Sequence, residues 1–192
     1  YVVTSSASDI YGTITAALGS LKGPLHGAAN KKVMDMMSDI KSHVSNWADR
    51  SEVRAYLERI VRKEAYDNSG KIYGLGHAVY TKSDPRAVIL KEKAKELAEQ
   101  VGRSDEFDLY CLIEEEGPQV FQSVKGSDKL IAPNVDFFSG FVYDCLNIPV
   151  DIYTPLFAMA RTAGWCAHRI EEILSGRRVI RPAYKFVEFE SR

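Results

Sequence analysis

The sequence predicts an all-α protein, and three observations support that prediction. Apolar residues recur every three or four positions along nearly the whole chain, which is the spacing of an amphipathic helix. Glycine and proline stand at the ends of these stretches, where helices stop. Residues that cap helices, such as the pair Asp84-Pro85, stand at their starts.

The predicted helices follow one another along the chain with short breaks. Asp9 can cap the first helix, and Gly102 and Gly176 can end two later ones. The tail from residue 177 to residue 192 is expected to be irregular or extended. The expected helices cover about residues 8–22, 28–40, 51–64, 85–101, 105–116, 118–124, 133–146 and 152–174. The first three carry the apolar stripes Ile10, Ile14, Ala17, Leu18 and Leu21; Val33, Met36, Met37 and Ile40; and Val53, Tyr56, Leu57, Ile60 and Val61.

The composition is that of an ordinary globular chain and argues against a nucleic acid or a membrane as its partner. The 192 residues include 25 Lys and Arg against 26 Asp and Glu, a net charge of -1, and 45% are hydrophobic. Because neither sign of charge is in excess, recognition of nucleic acid or of a membrane surface by bulk charge is not expected. No apolar run reaches the roughly 18 residues that a membrane-spanning helix needs.

The cysteines and the first residue give two further expectations. Three scattered cysteines, none in a CxxC pair, are typical of a reducing compartment, so we expect a cytoplasmic protein. The chain begins at Tyr1 rather than at methionine, and the residues that follow Tyr1 already have a helical pattern. We therefore expect the chain to be a piece of a longer protein.

Two histidines lie in glycine-bearing loops at helix ends, and both are candidates for acid–base chemistry. His26 lies in GPLHG and His77 in GLGHA. A loop of this kind can present an imidazole to a cleft, and histidine donates and accepts protons near neutral pH. Alternatively, each could be a structural histidine with its hydrogen bonds satisfied. Metal binding by these histidines and Asp136 is not expected, because no close ligand spacing is present.

Two arginines and one aspartate are the other candidates. Arg86 lies in the first turn of a predicted helix, where a bound anion would explain a cation; pairing with Asp84 or Glu92 would explain it equally well. Arg161 lies in an apolar stretch, so burial with an anionic partner is expected, either a structural carboxylate or a ligand. Asp136 stands beside aromatic residues, where burial would raise the pKa of its carboxyl as a general base needs; the alternative is an N-cap.

Four stretches of the chain, taken together and in this order, resemble citrate synthase, a largely helical two-domain enzyme. They are residues 23–30 (GPLHGAAN), residues 74–80 (GLGHAVY) with 84–87 (DPRA), residues 133–140 (PNVDFFSG), and residues 160–168 (ARTAGWCAH) followed by 181–182 (RP). The resemblance covers most of the chain. It implies condensation of acetyl-CoA with oxaloacetate by an acyltransferase that converts the acyl group to alkyl on transfer.

The resemblance also implies a role for each site residue. Asp136 would take a proton from the acetyl methyl group, and His26 would hydrogen-bond the thioester oxygen and stabilise the enol. His77 would hold and polarise the ketone of oxaloacetate. The residues that would bind substrate carboxylates are Arg86, Arg161 and Arg181, the last from the neighbouring subunit of a homodimer. The expected CoA contacts are Gly74, Leu75, Gly76, Ala78 and, more weakly, Lys129.

Further expectations follow from the same resemblance. Residues 26–140 would form the small domain, and residues 1–25 and 141–192 would belong to the large domain. No permanently bound cofactor is expected, since acetyl-CoA is a substrate. Family members are about twice as long and carry another oxaloacetate-binding histidine upstream, so the isolated chain would be inactive. The alternatives are a 2-methylcitrate synthase, which uses propionyl-CoA, and a non-catalytic module that binds CoA or citrate.

Overall fold

The computed structural model describes residues 1–23, 27, 29–77, 79–80, 82–126, 131–176 and 178–183. The helices α1 to α8 cover Val2–Ser5, Ile10–Leu21, Ala29–His43, Arg50–Val61, Pro85–Val101, Ser104–Lys125, Val135–Cys145 and Tyr153–Ser175, and a 3-10 turn, Val150–Ile152, precedes α8. None of the described residues belongs to a β-strand. The prediction of an all-α fold is therefore confirmed.

The capping signals in the sequence mark helix ends as predicted. The Asp9 carboxylate accepts a hydrogen bond from the Gly12 N–H at 2.7 Å and begins α2. Asp84 caps α5 with Pro85 in its first turn, and Gly102 ends that helix in the left-handed conformation at φ 71°. The local preferences of these capping residues agree with the helix boundaries of the overall fold, as expected of a sequence that folds to one structure.

Helix α6 corrects the prediction of two shorter helices, 105–116 and 118–124. It runs without a break over Ser104–Lys125, with Pro118 inside it. A proline inside a helix has no N–H for the carbonyl one turn earlier and costs about 3 kcal/mol. Buried residues continue on both sides of the proline, from Phe107 to Val120, so packing of the whole helix against α4 outweighs that cost.

The chain forms two compact units. Unit 1 consists of Tyr1–Gly27 and Thr154–Arg192, and unit 2 of Ala28–Tyr153. Unit 2 thus extends past residue 140, because α7 packs along its length against α3 and α5. Whether the units are the small and large domains implied by the resemblance remains a proposal.

Unit 2 holds the hydrophobic core of the described residues. Its helices α3, α4, α6 and α7 contribute apolar side chains that are almost completely buried. Aromatic rings of α6 and α7 meet at its centre with centroids 5.0–6.4 Å apart: Phe107, Tyr110, Phe137, Phe138 and Phe141. This packing fixes the position of α7, whose N-terminus carries Asp136.

In unit 1, α2 and α8 are joined by polar contacts. The Arg169 guanidinium on α8 donates hydrogen bonds to the Ser8 carbonyl at 2.8 Å and to the Thr13 hydroxyl at 3.0 Å. The Thr154 hydroxyl donates to the Gly27 carbonyl at 2.5 Å. Within the described part of the chain, no helix combines the length and apolar character that crossing a membrane requires.

Candidate active site

Two extended segments of unit 2 lie side by side and bring the His77 loop to the start of α7. The Gly76 N–H donates to the Ala132 carbonyl at 2.7 Å, and the Asn134 N–H donates to the Gly74 carbonyl at 2.9 Å. Between these bonds, Leu75 and Pro133 form an isolated antiparallel bridge. His77 follows the first segment directly, so this pairing determines where its backbone lies relative to α7.

The glycines of this loop are required by the backbone and by close packing. Gly74 has φ +83°, and a Cβ at this position would lie 2.9 Å from the Cα of Phe137. Gly76 has φ +95°, a conformation that residues with a side chain rarely adopt. The structure therefore explains both glycines by steric fit, and their predicted contacts with CoA, like those of Leu75, stay a prediction.

The backbone selects one tautomer of His77. Its Nδ1 accepts hydrogen bonds from the N–H groups of Val79 at 2.9 Å and Tyr80 at 3.1 Å. Two N–H donors aimed at Nδ1 require a lone pair there, so the ring is neutral and its proton is on Nε2. The imidazole is partly buried, and the Tyr80 ring lies 4.9 Å away between centroids. His77 can therefore donate one hydrogen bond from Nε2 to a ligand oxygen.

Arg86 is held by a buried carboxylate. Asp84 accepts hydrogen bonds from Nε of Arg86 at 3.0 Å and from Nη2 at 2.8 Å, and its side chain is completely buried. These bonds hold the pKa of Asp84 below its ordinary value. The observed partner is thus Asp84 rather than Glu92. Three N–H groups of the half-exposed guanidinium remain for another acceptor.

Asp136 lies in the first turn of α7, but it is not the N-cap. Asn134 caps the helix, with its side-chain oxygen accepting the N–H of Asp136 at 2.9 Å. The alternative that Asp136 is an N-cap is therefore wrong. The Asp136 side chain is partly buried, and its charge contributes to the raised pKa of Arg86, after the larger effect of Asp84. The Tyr80 ring lies 4.9 Å from the His77 ring and 5.9 Å from the Arg86 guanidinium, so these side chains share one region of unit 2, and Asp136 is near enough to Arg86 to raise its pKa.

Arg161 belongs to unit 1 and differs from its prediction. It is exposed on α8, with its guanidinium 4.9 Å from the centre of the Phe157 ring, and it makes no ion pair within the described part of the chain. The expectation of a buried arginine with an anionic partner is wrong for these residues. Of the apolar neighbours that suggested burial, Met159, Ala160 and Ala163 are exposed, Met159 by 69%, and Phe157 is only partly buried.

The remaining predicted residues are placed only in part. Arg181 is exposed and belongs to unit 1. His26, Ala78 and Lys129 lie outside the described residues. Gly27, which follows His26, donates its N–H to the Gly23 carbonyl at 3.1 Å. Among the residues whose positions are described, no group of three or more His, Cys, Asp or Glu side chains could hold a metal ion.

Sequence reasoning missed the role of Asn134, which links the His77 loop to the start of α7. Its side-chain NH2 donates to the Gly76 carbonyl at 2.9 Å, while its oxygen caps α7. Asparagine just before a helix is a capping signal that the sequence does show. The second bond, to a loop far away in the chain, leaves no local pattern.

Comparisons with known proteins all indicate one family. A family model described as "Citrate synthase, C-terminal domain" matches residues 1–183. Citrate synthase 2 of Bacillus subtilis is 42% identical, covering 100% of this chain and 48% of the relative. A 2-methylcitrate synthase of Shewanella oneidensis is 35% identical, covering 100% and 45%. The chain is also similar to a solved structure, the ternary complex of carboxymethyl coenzyme A and oxaloacetate with citrate synthase from Thermoplasma acidophilum (TM-score 0.75, 36% identity, covering 100% and 47%). The chain spans about half the length of the relatives it matches.

Proposed function

This chain belongs to the citrate synthase family, and from that premise we propose that the protein containing it condenses acetyl-CoA with oxaloacetate and hydrolyses the citryl thioester. The observation that carries the proposal is the grouping in unit 2 of a donor histidine, a partly available guanidinium and a carboxylate: His77, Arg86 and Asp136. These are the groups that enolisation and attack on an anionic ketone need.

Enolisation is the difficult step, and Asp136 is the proposed base. Its carboxylate would accept a proton from the methyl group of acetyl-CoA. That proton is far too weakly acidic for a free carboxylate, so a donor must stabilise the charge that develops on the thioester oxygen. The resemblance assigns this hydrogen bond to His26.

The enol carbon would then attack the ketone carbon of oxaloacetate. The Nε2–H of His77 can donate to the ketone oxygen as negative charge grows on it, and the backbone bonds to Nδ1 hold the ring in that tautomer. Arg86 would bind a substrate carboxylate with the N–H groups that Asp84 does not occupy. We propose the same role for Arg161 and Arg181.

Hydrolysis completes the proposed reaction. A carbon–carbon bond has formed between the two substrates, and water then cleaves the carbon–sulfur bond to release CoA and leave a third carboxylate. All of the chemistry is proton transfer, addition and hydrolysis, so the residues named need no permanently bound cofactor. We further propose a cytoplasmic homodimer in which Arg181 serves the neighbouring site, with residues 26–140 as the small domain.

The direct test is release of CoA by the full-length protein from acetyl-CoA and oxaloacetate. Asp136→Ala is expected to lower kcat by at least about 1,000-fold, because it removes the base. Unchanged turnover in this variant would instead favour a non-catalytic binding module. The isolated 192-residue chain is expected to be inactive, and steady CoA release by this chain alone would contradict that expectation.

Propionyl-CoA is the second candidate substrate, because a 2-methylcitrate synthase matches the whole chain. One extra methylene in an apolar pocket changes discrimination by about 10–200-fold. The values of kcat/KM for acetyl-CoA and propionyl-CoA, each measured with oxaloacetate, therefore distinguish the two activities.

A further inference from the structure

We propose that Asn134 is a positioning residue that holds the His77 loop against the start of α7, so that His77 and Asp136 keep a fixed separation. The inference rests on the proposed function, since it concerns two residues of that reaction. Asn134 acts through the backbone, because its side-chain hydrogen bonds go to the carbonyl of Gly76, next to His77, and to the N–H of Asp136.

The hydrogen bonds of Asn134 link the two segments in both directions. Its side-chain NH2 donates to the carbonyl of Gly76, the residue immediately before His77. Its side-chain oxygen accepts the backbone N–H of Asp136. Both partners are backbone groups with fixed roles, so the orientation of the amide is determined. The planar side-chain amide of Asn134 thus links the backbone next to His77 with the backbone of Asp136.

Helix capping alone does not require an asparagine here. Serine and aspartate cap helices about as well, because each offers an oxygen to the first-turn N–H groups. Aspartate has no hydrogen to donate to the Gly76 carbonyl, and serine has a single oxygen, one bond nearer the backbone, in place of the separate donor and acceptor atoms of the amide. Gly74 and Gly76 both have positive φ and contribute no side chains that could hold the loop in place.

The expected consequence is kinetic. A shift of about 1 Å in a positioned group can cost about 100-fold in rate. If the tether is lost, the separation of His77 and Asp136 varies, which affects the reaction more than the binding of oxaloacetate. A residue that only stabilised the fold would leave kcat unchanged well below the melting temperature.

Asn134→Ser in the full-length protein tests the proposal, because serine keeps an oxygen for the cap and lacks the longer amide N–H that forms the tether. We expect kcat to fall by about 10–100-fold, KM for oxaloacetate to change by less than about threefold, and Tm to fall by about 2–4 °C. Asp49→Ser is the matched control: Asp49 caps α4 of the same unit through Ser51 and Glu52, and kcat should stay at the wild-type value. Wild-type kcat in Asn134→Ser would overturn the proposal. If that variant does not fold, the isosteric Asn134→Asp replaces it, with the same expected results.

Amide hydrogen exchange tests the role of Asn134 in the structure independently of the proposed catalytic activity. If the wild-type protein releases no CoA from either acyl-CoA, the proposed function fails, and exchange then decides the structural claim. In Asn134→Ser, the amides of Gly76, Val79 and Tyr80 should exchange at least about tenfold faster, while the amide of Phe138 in α7 should not. Equal protection of the loop in the two proteins would overturn the tether.

Discussion

The two units differ in where their apolar side chains lie. All of the largest fully buried side chains among the described residues belong to unit 2, on α3, α4, α6, α7 and the first turn of α8. From its described apolar residues, unit 1 buries only Leu21 and Ala158, and Tyr11 and Leu174 are each 81% exposed. Yet both units have helical apolar stripes in the sequence. An amphipathic pattern therefore predicts a helix in either unit, but it predicts burial only where another element covers the stripe.

The largest expected effect comes from truncating the same residue type in each unit. Leu57 on α4 is completely buried in unit 2, and Leu174 on α8 is exposed in unit 1. Leu57→Ala should lower the free energy of unfolding by about 2–5 kcal/mol, because it removes buried methyl groups and leaves a cavity. Leu174→Ala should change it by less than about 0.5 kcal/mol. Urea unfolding of the 192-residue chain, followed by circular dichroism, measures both.

The contrast between the two units fails if Leu57→Ala and Leu174→Ala lower the free energy of unfolding by similar amounts. A loss of 2 kcal/mol or more in Leu174→Ala would mean that this side chain is covered in solution. A loss below about 1 kcal/mol in Leu57→Ala would mean that the core of unit 2 can collapse around the missing atoms. The slope of the unfolding curve should be the same in both variants, since neither changes the extent of the fold.

The sequence predicts a feature well when the residues that produce it are close together along the chain, and poorly when they are far apart. The caps at Asp9 and Asp84 and the helix end at Gly102 are local, and each was predicted correctly. Pro118 was misread as a helix boundary, because packing across the whole of α6 was not visible locally. Arg161 was misread as buried, because apolar neighbours in the sequence say nothing about what covers them.

The sequence also does not predict which anionic group pairs with Arg86. The sequence indicates that Arg86 pairs with an anion, and it leaves a ligand, Asp84 and Glu92 open as that anion. The structure shows the bidentate pair with Asp84, a geometry that depends on side-chain conformation rather than on spacing. Asn134 could be read as a cap, whereas its bond to Gly76 joins segments far apart in the chain.

A smaller expected effect concerns the pair of Asp84 and Arg86 in unit 2, of which the carboxylate is buried and the guanidinium half-exposed. Asp84→Asn keeps the helix cap but removes the charge that faces Arg86, so it should cost about 1–3 kcal/mol at pH 7. Arg86 lowers the pKa of Asp84 in the folded chain, so this contribution is complete well above the ordinary value of 3.8. It is lost as the pH falls through the lowered pKa, because the folded protein then binds the same proton as the unfolded chain.

The measurement is the free energy of unfolding of both proteins between pH 7 and pH 2. The difference between wild type and Asp84→Asn should shrink at the acid end of this range. Asp9→Asn, at an N-cap of unit 1, is the control and should cost less than about 0.5 kcal/mol throughout. A difference between wild type and Asp84→Asn that does not depend on pH would show that the carboxylate charge contributes nothing.

A small effect on stability is expected at Arg161 of unit 1. This arginine contacts the Phe157 ring on the exposed surface of unit 1, a contact worth about 0.5–1 kcal/mol. Arg161→Ala should therefore barely change unfolding. A hydrogen-bonded carboxylate is worth about 1.5–3 kcal/mol, so if Arg161 binds oxaloacetate, KM for oxaloacetate in the full-length protein should rise by about 10–150-fold. Arg178→Ala, another exposed arginine of unit 1, should change neither quantity. If KM stays at the wild-type value in Arg161→Ala, its exposed guanidinium is only a surface charge.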